Sequence, residues 1–322
     1  MKALVFEGQS EGLHFHENYP DPQPAPGQVV VRLRAAALNH RDVWITRGMY
    51  PGIVAPVILG SDGAGERQGR QVIINPNIGW GSDQRFSAKG YSILGMPVNG
   101  ALAEYVAVGE DRLHDLPAHL TLAEGAALPL GGLTAYRAVF TRGRLQAGER
   151  MLVTGAGGGV ALLAIQFGLA AGVRVYVTTG HAHKLDKTIA LGASGGANYR
   201  DADWDKQLLQ QAGGPFDLII DSAGGEGFNT LVKLAAPGGR IVIYGGGQGA
   251  VPKFSPQAIF WKQLDIMGTS MGSDEDFAQM LAFVARHHIR PVIDSTYPLS
   301  QAADAFEHMH NGRQFGKIII SI

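Results

Sequence analysis

The stretch Met151-Leu152-Val153-Thr154-Gly155-Ala156-Gly157-Gly158-Gly159-Val160-Ala161 constrains this chain more than any other. A short apolar strand enters a glycine run, and the following residues, Val160–Ala171, carry helical periodicity. Glycine tolerates positive φ and lets a ligand approach the backbone. A helix N-terminus adds unpaired N–H groups and the positive end of its dipole. A strand–glycine–helix sequence inside a βαβ unit therefore predicts a pyrophosphate cradle at Gly157, Gly158, Gly159 and Val160. Ala161 stands at the last motif position, a substitution that close helix–strand packing allows.

The surrounding pattern supplies the βαβ context. Strands are expected at Val173–Thr179, Phe216–Asp221, Arg240–Tyr244 and Leu264–Thr269. Helices are expected at His183–Leu191, Gly227–Ala236 and Asp274–His287. Such alternation implies a parallel sheet with helices on both faces. The first 120 or so residues read differently: short strands (Ala3–Phe6, Val29–Leu33, Gln71–Ile74, Ala101–Val108) lie between proline and glycine clusters. The end of the chain, with a helix at Ser300–His310 and an apolar strand at Lys317–Ile322, resembles that first part. The predicted fold is α/β: a doubly wound domain over 123–287, interrupting a β-rich domain built from 1–122 and 288–322.

Composition narrows the chemistry. There are no cysteines, which excludes disulfides, thiolate metal sites and cysteine nucleophiles. Lys and Arg number 27 against 28 Asp and Glu, which argues against nucleic acid or an anionic membrane surface as partner. No apolar run approaches the roughly 18–20 residues of a membrane span, and the first residues read as a strand, so a cytoplasmic protein acting on a small molecule is expected. Histidine pairs at 14/16 and 308/310 lack a three-ligand spacing, and no metal is expected.

The strand after the glycine turn bears on which dinucleotide fits. An NAD site usually places Asp or Glu about 20 residues on, to accept from the ribose 2′-hydroxyl. Here Val177-Thr178-Thr179-Gly180-His181-Ala182-His183-Lys184 offers hydroxyls and a lysine. A carboxylate would repel a 2′-phosphate and Lys184 would attract one, so NADP(H) is expected, with Thr179, Lys184 and Tyr199 around the phosphate.

Several motifs occur in order along nearly the whole chain. They include Leu38-Asn39-His40-Arg41-Asp42, Leu59-Gly60-Ser61-Asp62-Gly63, Leu133-Thr134-Ala135-Tyr136, the run from Gly148 to Gln166, Gly268-Thr269-Ser270 and Gly312-Arg313-Gln314-Phe315-Gly316-Lys317. Together they resemble the medium-chain dehydrogenase/reductase superfamily, in its zinc-independent, quinone-oxidoreductase-like branch. The resemblance implies a GroES-like β domain around a Rossmann domain, often dimeric through the Rossmann sheet edge. It implies that Asn39 and Tyr50 lie by the nicotinamide, with Asp42 near them and Thr134 on the ring side. Ser222, Gly245, Thr269, Arg313 and Lys317 are further expected cofactor contacts.

Zinc-containing relatives carry Cys at the Asn39 position, His-Glu at Ser61-Asp62, a Cys near Leu130 and a four-cysteine loop where this chain has residues 78–85. Without that Lewis acid, localised charge on a simple carbonyl or alcohol oxygen is harder to stabilise. A conjugated carbonyl spreads the charge, so hydrogen-bond donors such as Asn39 and Tyr50 suffice. The expected activity is NADPH-dependent hydride transfer to a quinone or other α,β-unsaturated carbonyl. The alternatives are a zinc-free alcohol or aldehyde dehydrogenase and a non-catalytic NADPH-binding protein. Segment 65–70 is shorter than that superfamily's usual strand–turn–strand. Phe254, Ile259, Phe260 and Trp261, ahead of the last sheet strand, suggest a homodimer through that edge.

Overall fold

The structure, a computed structural model, describes all 322 residues. The chain divides into two compact units, Met1–Gly131 with Ser273–Ile322, and Gly132–Gly272.

The first unit is built on the ten-residue strand Gln28–Ala37. Its first half pairs antiparallel with Tyr105–Gly109, and its second half lies between Asp62–Arg67 and Lys317–Ser321. Arg70–Ile74 and Leu113–Asp115 extend the sheet on one side, and Ile293–Pro298 on the other. The last strand pairs parallel with Lys317–Ser321, which requires a crossover; the helix Ala302–His310 supplies it. A smaller sheet pairs Ala3–Phe6 with Leu13–His16 and Val57–Ile58. Phe6, Leu33, Leu38, Ile58, Ile74, Phe306 and Ile318 belong to one apolar core. The short segment at 65–70 is a complete hairpin: Arg67 pairs with Arg70 across Gln68-Gly69. Both turn residues have positive φ, 50° and 79°, as a two-residue primed turn requires.

The second unit is a six-stranded parallel sheet. Its order is Gly195–Asn198, Arg174–Thr179, Arg150–Val153, Phe216–Asp221, Ala235–Ile243, Asp265–Gly268. Numbered along the chain this is 3-2-1-4-5-6, the doubly wound order, whose direction switches between Arg150–Val153 and Phe216–Asp221. Both of those strands are buried along nearly their whole length, as parallel sheets covered on two faces demand. The helix Gly159–Ala170 is apolar on all sides and correspondingly buried.

The observed boundaries, 131/132 and 272/273, differ from the expected 122/123 and 287/288. Helix Leu122–Ala126 packs on the strands Gln28–Ala37 and Asp62–Arg67. Helix Asp274–His287 is tied to the first unit by Asp274, which accepts from Arg112 Nη1 (2.5 Å) and Asn75 Nδ2 (2.9 Å), and by Phe277 against His114. Elements outside the expected pattern include the Gly195–Asn198 and Ile293–Pro298 strands and the Trp204–Ala212 and Pro256–Phe260 helices. Of the expected strand Ala101–Val108, residues from Tyr105 onward pair as a regular strand. No helix is long and apolar enough to cross a membrane.

Candidate active site

In the second unit, the strand Arg150–Val153 ends in Thr154, whose hydroxyl donates to Asp221 Oδ1 at 2.6 Å. The same buried carboxylate accepts the backbone N–H groups of Ala223 and Gly224. Asp221 thereby ties together the two strand ends at the switch point and shapes the loop that carries Ser222. Tyr244 hydrogen-bonds Ser222, and burial pushes its phenol up to about 12, so it stays protonated at neutral pH.

The glycine turn follows Thr154. Gly155 has φ 70° and Gly157 φ 121°, both in the region where only glycine is unstrained. A Cβ on Gly157 would fall 2.8 Å from Lys184 Cδ and 3.5 Å from its Nζ. Lys184 therefore lies across the turn, and it is 7% exposed although it stands in the first turn of the helix Ala182–Ala190. Beside it, a Cβ on Gly180 would meet the Tyr199 hydroxyl at 2.6 Å and Arg200 Nε at 3.0 Å. Thr179 is buried at the end of its strand and pairs with Asn198. His181 and His183 sit 5.6 Å apart on the same rim. His181 is held below the usual imidazole range, by partial desolvation first and then by Lys184, Arg200 and His183. Lys184 and Arg200 thus bring two positive charges close to His181. Thr269, after the last strand, has a buried hydroxyl with no hydrogen-bond partner. Thr134 is buried in the helix Pro129–Tyr136, which widens into a π-type turn over Arg137–Arg142.

In the first unit, strand register brings three distant segments together. Ala37 is opposite both Asp62 and Ile319, and extending the second pairing by two residues places Lys317 opposite Asn39. The Lys317 ammonium, 3% exposed, donates to Asn39 Oδ1 (2.7 Å), Asp62 Oδ2 (2.8 Å) and Leu38 O (2.9 Å). Asn39 Nδ2 donates to Asp62 Oδ2 at 2.9 Å, and Asp62 Oδ1 accepts from Leu130 N at 2.8 Å. Next to this pair, Arg41 donates to Ser61 Oγ (2.7 Å) and to the Leu94 and Met96 carbonyls. Its guanidinium carbon lies 5.1 Å from the Tyr50 ring centroid, with a long 3.5 Å contact from Nε to the phenol oxygen.

These contacts give two of the expected site residues partners inside the chain. Lys317, expected at the cofactor, commits all three N–H groups to Asn39, Asp62 and Leu38. Asp42, expected among the reacting groups, is fully buried and caps the helix His40–Thr46 by accepting Asn39 N–H at Oδ2 (2.8 Å). Burial holds its carboxyl above the usual range, against the opposing effect of Arg41, and its Oδ1 has no partner. Arg313 lies exposed in a surface depression with Tyr297, Asp304 and His308. The partners of Arg41, Ser61, Asp62 and Asp221 leave no local signal in the sequence and arise only from the tertiary structure. No three His, Cys, Asp or Glu side chains come together to hold a metal ion.

Sequence profiles match both units: one described as alcohol dehydrogenase GroES-like domain over residues 25–118, and one described as zinc-binding dehydrogenase over 159–286. A zinc-type alcohol dehydrogenase-like protein of Leptosphaeria maculans is 39% identical, the match covering 94% of this chain and 92% of that protein. The chain belongs to the medium-chain dehydrogenase/reductase superfamily. As a member of it, this chain is an oxidoreductase, and the superfamily uses nicotinamide nucleotides. The quinone oxidoreductase of Mus musculus is 32% identical over 99% of this chain and 97% of its own length. Among solved structures, an NAD-dependent alcohol dehydrogenase superposes with TM-score 0.93 at 34% identity, covering both chains completely. The Thermus thermophilus quinone oxidoreductase, also solved with NADPH, superposes with TM-score 0.84 at 28% identity over both complete chains.

The superfamily's zinc positions can be tested on this dehydrogenase/reductase directly. At Asn39 and Asp62 the oxygens face the Lys317 ammonium, and the Ser61 hydroxyl accepts from the Arg41 guanidinium. Two fixed cations of the chain stand against these oxygens, and a third, divalent cation does not fit this donor set. In the segment 78–85, where the resemblance places a four-cysteine loop, Trp80 makes the local contacts. Its ring packs edge-on against Tyr91 at 5.2 Å and its Nε1 donates to Asp83 O at 3.1 Å. Asp83, bonded to the Arg85 side chain and backbone, is held down to about 2.

Proposed function

We propose that this protein is an NADPH-dependent reductase of quinones or other α,β-unsaturated carbonyls that works without a metal ion. The observation that carries the reading is the Asn39–Ser61–Asp62 group, whose oxygens are engaged by Lys317 and Arg41 in place of a metal. The glycine turn fits a dinucleotide: Gly157, Gly158, Gly159 and Val160 would hold the pyrophosphate at the start of the helix Gly159–Ala170. Lys184, Tyr199, Arg200 and Thr179 would hold the 2′-phosphate, and the absence of a carboxylate from 177–184 favours NADPH over NADH. Ser222, Gly245, Thr134 and the orphan Thr269 hydroxyl complete the proposed contacts. When bound, the nucleotide supplies a hydride.

The chain's own groups account for the rest. One N–H of the Asn39 amide is used by Asp62, and the other has no acceptor within the chain. It is available to the carbonyl oxygen on which charge accumulates. The Tyr50 hydroxyl faces Arg41 as an acceptor, which leaves its proton for the substrate. A hydride and a proton together balance the reduction of a quinone to a hydroquinone or of an enone to a saturated ketone. The mouse and Thermus quinone oxidoreductases support this reading; the NAD-dependent alcohol dehydrogenase supports the alternative of alcohol or aldehyde turnover.

The edge strand Asp265–Gly268 is partly exposed, and Phe260 and Trp261 before it are 56% and 80% exposed. Such an edge invites pairing with a second copy, so a homodimer is proposed. The test of the reaction is a panel of quinones, enones, aldehydes and alcohols with either nucleotide, run beside elemental analysis for zinc. Turnover of alcohols alone, or bound stoichiometric zinc required for turnover, contradicts the proposal.

A further inference from the structure

We propose that Lys317 and Asp62 are positioning residues that lock the Asn39 amide in one of its two orientations; the proposal rests on the donor role just given to Asn39. An amide can flip by half a turn at little steric cost, exchanging Oδ1 and Nδ2. Here charge dictates the choice. Oδ1 meets the Lys317 ammonium at 2.7 Å and Nδ2 meets the Asp62 carboxylate at 2.9 Å. A flipped amide would set its N–H groups against the ammonium and its oxygen against the carboxylate, two repulsive contacts in a buried site where charge interactions are strong.

Both clamps are themselves fixed. The ammonium has three N–H groups and three acceptors, the third being Leu38 O. Asp62 is fully buried and its second oxygen holds Leu130 N. The backbone N–H of Asn39 is fixed by Asp42. With oxygen and one N–H pinned, the remaining N–H has a single direction. Contact of Oδ1 with a cation also draws electron density through the amide, which strengthens that N–H as a donor. The sequence motif ending at Lys317 thus serves the other end of the reaction from the one expected: it aims a substrate-facing donor.

The test uses the full-length protein with Lys317→Met and the double variant Asp62→Asn/Lys317→Met. The double variant removes the buried charge pair as a whole, so it keeps the test valid where the single variant, left with an unpaired carboxylate, loses stability. The expected result is a fall in kcat for a quinone of about ten- to a hundred-fold in both variants, on the scale of losing a positioned oxyanion donor. The Kd for NADPH should stay within about twofold, and the double variant should regain thermal stability without regaining kcat. Recovery of kcat together with stability, or a kcat in Lys317→Met near that of the unaltered protein, would overturn the proposal. A readout independent of turnover separates this claim from the reaction assigned above. In the ¹⁵N-labelled protein, one slowly exchanging Lys317 ammonium signal and one set of Asn39 amide signals are expected, the latter averaging or splitting in Lys317→Met. Rapidly exchanging or already averaged signals in the unaltered protein would refute the lock, whatever substrates it turns over.

Discussion

Replacing Lys184 with methionine separates its charge from its packing. The lysine stem lies 2.8 Å from where a Cβ on Gly157 would stand, and the residue is 7% exposed. Methionine keeps an unbranched stem over the turn, so the glycine conformation and the pyrophosphate cradle are retained. What is lost is one ammonium at a poorly solvated position beside the proposed 2′-phosphate. A charge-assisted contact of this kind contributes about 1.5–3 kcal/mol. At about 1.4 kcal/mol per decade, the Kd for NADPH should rise roughly ten- to a hundred-fold. NADH lacks the phosphate, so its Kd should change by less than about twofold on the same argument. Both constants can be read by titrating nucleotide fluorescence at low ionic strength, with the NADPH effect shrinking as salt is added. An equal loss for both nucleotides would place Lys184 at the shared pyrophosphate, and no loss for either would remove it from the site; each refutes the specificity argument.

Other consequences follow from single contacts. Gly157→Ala puts a side chain at φ 121° and against Lys184, at a cost of about 1–3 kcal/mol of backbone strain; a lowered melting temperature and lost binding of both nucleotides are expected. Asp42 has its folded-state pKa raised above 3.8 by burial, so folding costs more as pH rises through that raised value and the penalty vanishes on acidification towards 3.8. Asp42→Asn should therefore gain stability relative to the unaltered protein at pH 8, with the gap closing towards pH 4; parallel melting curves across that range would contradict the assignment. The double substitution Phe260→Glu/Trp261→Glu should convert a two-chain mass in sedimentation to a one-chain mass without loss of helicity, and a protein that is already a single chain in solution excludes the dimer.

Much of the architecture was legible because local signals agreed with the tertiary result. Helix Asp274–His287 could be bounded correctly because Ser273 and Asp276 form a capping box, and the strand Phe216–Asp221 because its apolar run is unbroken. Strand Gly195–Asn198 was not, since Gly-Gly-Ala-Asn has almost no β propensity and is held by its partner strand. The same division holds in the site. The glycine turn and Lys184 are readable as a motif, but the burial of Lys184 across Gly157 emerges only with the fold. Lys317 and Asp62 lie 255 residues apart. Each is an ordinary polar residue in its own segment, and only the antiparallel register of three strands makes them partners of Asn39.

The central claim, a reductase in which the chain's own cations stand where relatives hold zinc, is tested most directly by one measurement. Metal-stripped protein is mixed with NADPH and a quinone or enone, and nucleotide oxidation is followed with and without added zinc. The account predicts full turnover in the stripped protein, unchanged by zinc and faster with NADPH than with NADH. Turnover that appears when zinc is restored, or oxidation of alcohols with no reduction of quinones or enones, would contradict it.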